Sequence, residues 1–151
     1  MKDEDSYLAE WVSFHYAVGV DSFLIIDNGG SDSAAKTLAP FIRRGTVEVL
    51  SFASRVKPQR EAYDRALRYL EGKSRWGGFF DIDEFVFPVT EQDLPSVLKD
   101  YEDFAGLAVN WVAFGSSGHE TKPSGWVIEN FTERGPLDHI IELPGYAIKT
   151  S

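Results

Sequence analysis

Apolar positions recur at helical spacing in "SYLAEWVSFHYAVG", where Leu8, Trp11, Val12, His15 and Val18 share one face and Gly19 is placed to stop the helix. "DSFLII" follows as a short β-rich run that reads as a strand buried on both faces. It runs into the turn-forming cluster "DNGGSDS", from which Ser31 or Asp32 would cap a second helix through "AAKTLAPFIRR". Pro40 disturbs the last turn of that helix. "TVEVLSF" reads as a second strand, and "PQREAYDRALRYLEG" as an amphipathic helix with Ala62, Ala66, Leu67 and Leu70 inward and Gly72 ending it. "WGGFFDID" is a third strand. "DLPSVLKDYED" is a short helix started by Asp93 with Pro95 in its first turn, and "GLAVNWVAFG" is a further strand. Beyond "SSGHETKPSG" the pattern weakens, leaving "WVIENFTE" and "HIIEL" as short elements.

Strands alternating with helices predict an α/β sandwich on a largely parallel sheet. Ligands of such sheets sit outside the carboxyl ends of the strands. Both "DNGGSD" and "DIDEF" fall at strand ends, so they are expected to line one crevice.

A length of 151 residues fits a single domain, and 43% hydrophobic with 14% aromatic residues favours a packed core over disorder. Lys and Arg number 15 against 24 for Asp and Glu, a net charge of −9. With no basic block, nucleic acid is a poor partner, and an anionic ligand would need a local device such as a metal ion or a helix N-terminus. The chain contains no cysteine, which excludes disulfides, zinc–thiolate sites and thiol catalysis. Its longest apolar runs are far too short to span a bilayer, so no integral membrane segment is expected. The acidic start "MKDEDSYLAEW" has no signal-peptide core.

The segment "RWGGFFDIDEFVFP" is the densest in candidate chemistry. In an extended segment Asp81 and Asp83 would point to the same side, because side chains alternate with period two. Two such carboxylates repel, and a divalent cation between them relieves the repulsion. Mg²⁺ and Mn²⁺ prefer oxygen ligands, typically one or two carboxylates completed by substrate phosphates and waters. The triplet is therefore apt for clamping a diphosphate, and the plainer alternative is a strand ending in a solvated acidic loop. Asp27 and Asn28 have a similar pair of readings. They could hydrogen-bond a base or ribose beside the permissive Gly29–Gly30 backbone, or simply belong to a strand-to-helix turn. The Lys-Ser/Thr ending of a phosphate-binding loop is absent. His15 reads as a packing residue on a helix face. His119 and His139 lie too far apart in sequence for a recognised metal pair, and Ser116 and Ser117 lack the frame of a hydrolase nucleophile.

In this order and spacing, "YLAEWVSFHYAVGVDSFLIIDNGGSD", "FFDIDEFVFP", "NWVAFGSSGH" and "VIENFTER" resemble the family 2-like glycosyltransferases, in the branch related to glycosyltransferase family 92. The resemblance implies a GT-A fold, a nucleotide-binding α/β/α sandwich using a nucleotide-sugar donor, expected to be a UDP-sugar, and Mn²⁺ or Mg²⁺. It implies Asp83 as the main metal contact, Asp81 on the ribose or the metal, and Asp27 near the base. Gly115, Ser116, Ser117, Gly118 and His119 would border the donor sugar or acceptor. The expected reaction is a single inverting displacement, with Glu129, Glu120 and His119 as candidates for the base and Glu129 preferred. The resemblance also implies a first strand ahead of "MKDED" and a continuation past "YAIKTS", so one domain spanning residues 1–151 is expected to be shortened at both ends. A glycan or lipid-linked acceptor and a cytoplasmic location at the inner membrane face complete the expectation. The alternative is a non-catalytic glycosyltransferase-like remnant that binds ligands or proteins. A haloacid-dehalogenase-type phosphatase ranks below both, because Phe85 and Val86 stand where that family needs Thr or Ser.

Overall fold

The computed structural model describes residues 5–27, 33–51, 58–135 and 145–149. In chain order the elements are α1 (Asp5–Ala17), β1 (Phe23–Asp27), α2 (Ser33–Thr37), α3 (Ala39–Arg43), β2 (Val47–Ser51), α4 (Pro58–Leu70), β3 (Trp76–Gly78), α5 (Leu94–Lys99), β4 (Gly106–Val109), α6 (Val127–Asn130) and β5 (Gly145–Lys149). β1 and β2 pair in parallel, with Phe23 opposite Val47 and Asp27 opposite Ser51. β5 lies between β3 and β4 and is antiparallel to both. The class is mixed α/β, as the sequence pattern predicts. Parallel pairing among the described residues is confined to β1–β2, so the sheet is less parallel than expected. β5 was not expected from the pattern.

The core forms where α1 packs on the parallel pair. Leu8 and Val12 from α1 meet Phe23 of β1, Val47 of β2 and Leu38, with Trp11, Ile25, Val49, Phe41 and Ile82 against them. Val12 and Leu38 are fully buried, and burial of an aliphatic side chain contributes about 1.5–3 kcal/mol. The predicted face of α1 is thus the one buried. Gly19 ends the helical stretch with φ 100°, a conformation that glycine adopts without Cβ strain. In α4, Ala62 and Ala66 are buried and Leu67 and Leu70 half-buried, again the expected face.

Four elements differ from their sequence patterns. The helix expected through residues 34–44 is two short helices that meet at Leu38, whose φ is −87° and ψ 0°. A continuous helix would drive the Pro40 ring into the carbonyl four residues earlier, so α3 restarts with Pro40 in its first turn. The third strand stops at Gly78 instead of running to Asp83. There the Glu84 amide donates to the Asp81 carbonyl at 3.0 Å, closing a turn over residues 81–84. The period-two argument for Asp81 and Asp83 therefore does not apply. The fourth strand likewise ends at Val109, and α5 at Lys99, earlier than their patterns suggest. Asp93 caps α5 as expected, its side chain accepting the Ser96 amide at 2.8 Å. Asn28, Gly29, Gly30, Ser31, Asp32, His139 and the "HIIEL" segment lie outside the described residues.

Candidate functional site

An open cleft of ≈ 1990 Å³ is lined by residues of both sheets together with α1, α4, α5 and the acidic turn. Asp27, the last residue of β1, lines it, as do Asp81 and Asp83. Of the two segments singled out in the sequence, Asp27 from the first and Asp81 and Asp83 from the second thus line the same cleft, the latter two from a turn and not a strand end. Asp81 and Asp83 are exposed, with Ile82 between them packed against the core. This apolar anchor leaves the two carboxylates at the surface of the turn.

Glu84 has a different task. Its carboxylate accepts the Asp81 amide at 3.0 Å, and the Trp111 side chain hydrogen-bonds it as well. Burial pushes the Glu84 carboxyl above its ordinary range. The negative charges of Asp81 and Asp83 push in the same direction, while the Asp81 amide and Trp111 pull against them. Glu84 thus braces the turn from inside, and Asp81 and Asp83 are the pair presented outward. Two oxygen-bearing carboxylates match the donor chemistry of Mg²⁺ or Mn²⁺ bound with substrate phosphates. Among the described residues no group of three or more acidic or histidine side chains forms a metal cage.

Several cleft residues were not foreseen from the sequence. Lys73 and Arg75 bring positive charge to it. Lys73 Nζ lies 3.4 Å from the centroid of the Tyr69 ring, and the Tyr69 hydroxyl donates to the Glu48 carboxylate. Arg75 pairs with Glu102 at 2.9 Å. Asn110, just past β4, lines the cleft, and its neighbour Trp111 is 42% exposed beside Glu84. Only the "NW" following an apolar strand signalled Asn110.

The segment from Gly115 to Glu120 is organised differently. The Gly115 amide donates to the Glu133 carbonyl at 2.8 Å. Ser117 has φ 49°, and its Oγ accepts the Thr132 and Glu133 amides at 2.9 and 3.0 Å. The His119 ring meets Phe131 edge-on at 5.8 Å. Phe131 lines the cleft, whereas Gly115, Ser116, Ser117, His119 and Glu120 do not. Glu129 is exposed on α6, outside the cleft but flanked by Val127 and Phe131, which line it. α6 itself is tied to α1. The buried Glu10 carboxylate accepts the Val127 and Ile128 amides at 2.9 and 3.1 Å.

An α/β chain with an aspartate at a strand end and an outward acidic pair in one cleft is a candidate for binding a phosphate-bearing ligand. The family model of glycosyltransferase family 92 matches residues 2–138, and the chain belongs to that family. It is 27% identical over 138 residues to a glycosyltransferase family 92 protein of Ricinus communis, covering 89% of this chain and 25% of that protein. A family 92 protein of Oryza sativa subsp. japonica is 26% identical over 137 residues, covering 89% of this chain and 24% of its own length. One from Arabidopsis thaliana is 26% identical over 139 residues, with coverages of 85% and 24%. The chain thus spans about a quarter of the length of these relatives. No solved structure matches it. Among the described residues no helix is long and apolar enough to cross a membrane.

Proposed function

We propose that this chain is the donor-binding part of a metal-dependent, inverting glycosyltransferase of GT-A type. It would move a sugar from a nucleotide-sugar, with UDP-sugar the favoured class, to an acceptor hydroxyl on a glycan or lipid-linked acceptor. The observation that carries the reading is the shared cleft. In a family 92 chain, Asp27 at the end of β1 and the outward pair Asp81 and Asp83 line the same space. Asp83 and Asp81 would hold Mn²⁺ or Mg²⁺, and Asp27 would contact the nucleoside. The bound ion supplies neutralisation of the charge that develops on the departing nucleoside diphosphate.

Lys73 adds positive charge to the cleft that would complement the phosphates, whereas the charge of Arg75 is offset by Glu102. The acceptor hydroxyl attacks the anomeric carbon, the bond from that carbon to the diphosphate oxygen breaks, and the hydroxyl proton passes to a base. None of the candidates Glu129, Glu120 and His119 lines the cleft; Glu129, two residues from both Val127 and Phe131, is kept as the proton acceptor in this reading. Gly115, Ser116 and Ser117 would border the sugar through the Phe131 side of the cleft.

Calorimetric titration of UDP into the chain, with and without Mn²⁺, tests the reading. Metal-dependent binding that disappears in Asp83→Ala supports the diphosphate clamp. Binding that ignores both the metal and the substitution would sink it.

A further inference from the structure

The acidic turn is held from behind by two side chains of α1. Trp11 Nε1–H donates to the Glu84 carbonyl at 2.7 Å. His15 Nε2 lies 3.1 Å from the Val86 amide nitrogen, and its Nδ1 lies 2.8 Å from the Trp11 carbonyl. An amide only donates and a carbonyl only accepts, so His15 is neutral here, with its proton on Nδ1. Its ring stacks on Phe80 at 6.2 Å and on Phe85 at 5.9 Å, with interplanar angles of 18° and 16°. Phe80 immediately precedes Asp81 and Phe85 immediately follows Glu84, so His15 grips both shoulders of the turn. It is 1% exposed, and although it borders the cleft, its two ring nitrogens are engaged by the Trp11 carbonyl and the Val86 amide.

A backbone segment beside a sheet is ordinarily held by the hydrogen bonds of a neighbouring strand. Residues 79–90 have no strand partner among the described residues. The α1 side chains supply those bonds instead. We propose that Trp11 and His15 are positioning residues for the acidic turn, holding Asp81 and Asp83 at the cleft through the Glu84 carbonyl and the Val86 amide. This rests on the reading of Asp81 and Asp83 as the diphosphate and metal contacts. The physical logic is that of residues that orient metal ligands without touching the metal.

The test uses the full chain and three variants. His15→Phe keeps a ring for the stacks and loses both hydrogen bonds. Trp11→Phe removes the donor to Glu84 together with part of the ring packed on His15 and Phe23, and serves if His15→Phe fails to fold. His15→Gln can present an amide oxygen to Val86. Amide hydrogen exchange reads the turn without any ligand, and Mn²⁺ titration in the presence of UDP reads the site. In His15→Phe and Trp11→Phe, amides from Asp81 to Val86 exchange faster while those of β1 and β2 do not. Mn²⁺ affinity falls about 10-fold or more, the scale typical for loss of a group that orients metal ligands. His15→Gln recovers most of both effects. Unchanged protection at Val86, or a loosened turn with unchanged Mn²⁺ affinity, overturns the proposal. Should the unaltered chain bind no Mn²⁺ with UDP, the diphosphate reading falls, and the exchange measurement alone decides whether α1 sets the turn.

Discussion

Glu10 offers a measurable test of how α1 holds α6. The residue is 7% exposed, and its two oxygens accept the Val127 and Ile128 amides at 2.9 and 3.1 Å. Those amides open α6, so the helix itself provides them with no acceptor. Glu10→Ala strands both. Hydrogen bonds to a charged group contribute about 1.5–3 kcal/mol each. Ile128 is 38% exposed, so water recovers part of that loss, and side-chain caps at helix starts contribute about 0.5–2 kcal/mol. The expected destabilisation is therefore about 2–3 kcal/mol for Glu10→Ala. Glu10→Gln, which keeps one acceptor oxygen, should lose about half as much. Urea unfolding followed by tryptophan fluorescence measures it, because Trp11 and Trp126 flank the contact in sequence. With a slope of about 2–3 kcal/mol/M, the Ala variant should unfold about 1 M earlier. A midpoint moved by less than about 0.2 M would show that water already satisfies the two amides, and equal losses in Ala and Gln would show that a single acceptor oxygen does not hold α6.

A Cβ on Gly78 would overlap the Phe80 ring, so Gly78→Ala should cost about 1–3 kcal/mol as overpacking. Its melting temperature should fall, with exchange accelerated from Phe80 to Val86 more than in β1; uniform acceleration would contradict the local clash. Ser117→Ala removes the acceptor of the Thr132 and Glu133 amides and should cost about 0.5–1.5 kcal/mol. Unchanged exchange at those two amides would refute this role. Burial lowers the His15 pKa below 6.5, with the bond to Trp11 opposing, so the folded state binds this proton less readily than the unfolded chain. Stability is fully present above pH 6.5 and falls as pH drops through the folded value. Glu84, raised by burial from 4.5, works in the opposite sense: its contribution is lost as pH rises through its folded value. Unfolding midpoints measured against pH should therefore slope upward toward pH 6.5 in the native chain and flatten in His15→Gln, and equal slopes would remove His15 as the cause.

What was legible in the sequence was what local chemistry decides. The buried face of α1 follows from the spacing of Leu8, Val12 and His15, and the helix stop from Gly19. The start of α5 follows from Asp93 and Pro95. Pro40 marked the trouble in the second helix, although the full break at Leu38 needed the buried position of that residue. The end of β3 was not legible. "FFDIDEFVF" carries a strand's composition, but its backbone bonds go to Trp11 and His15, more than 70 residues earlier. No local pattern encodes a partner at that distance. For the same reason His15 read as ordinary packing, which it is, while its bond to Val86 stayed hidden. The expectation that Asp27, Asp81 and Asp83 share a crevice placed all three at strand ends; they line one cleft, but Asp81 and Asp83 do so from a turn beyond the end of β3. Lys73 and Asn110 were not legible as cleft residues, because their placement depends on how α4 and β4 dock.

The grip on the acidic turn is made to main-chain atoms, the Glu84 carbonyl and the Val86 amide. Any residue at those two positions presents the same carbonyl, and any residue but proline presents the same amide. These two bonds are thereby uncoupled from the outward side chains of Asp81 and Asp83, while the Glu84 carboxylate and the Phe80 and Phe85 rings still brace the turn. Neither of the bonds from α1 uses an atom of Asp81 or Asp83. Selection, or an engineer, can rewrite the chemistry at this corner while inheriting its geometry.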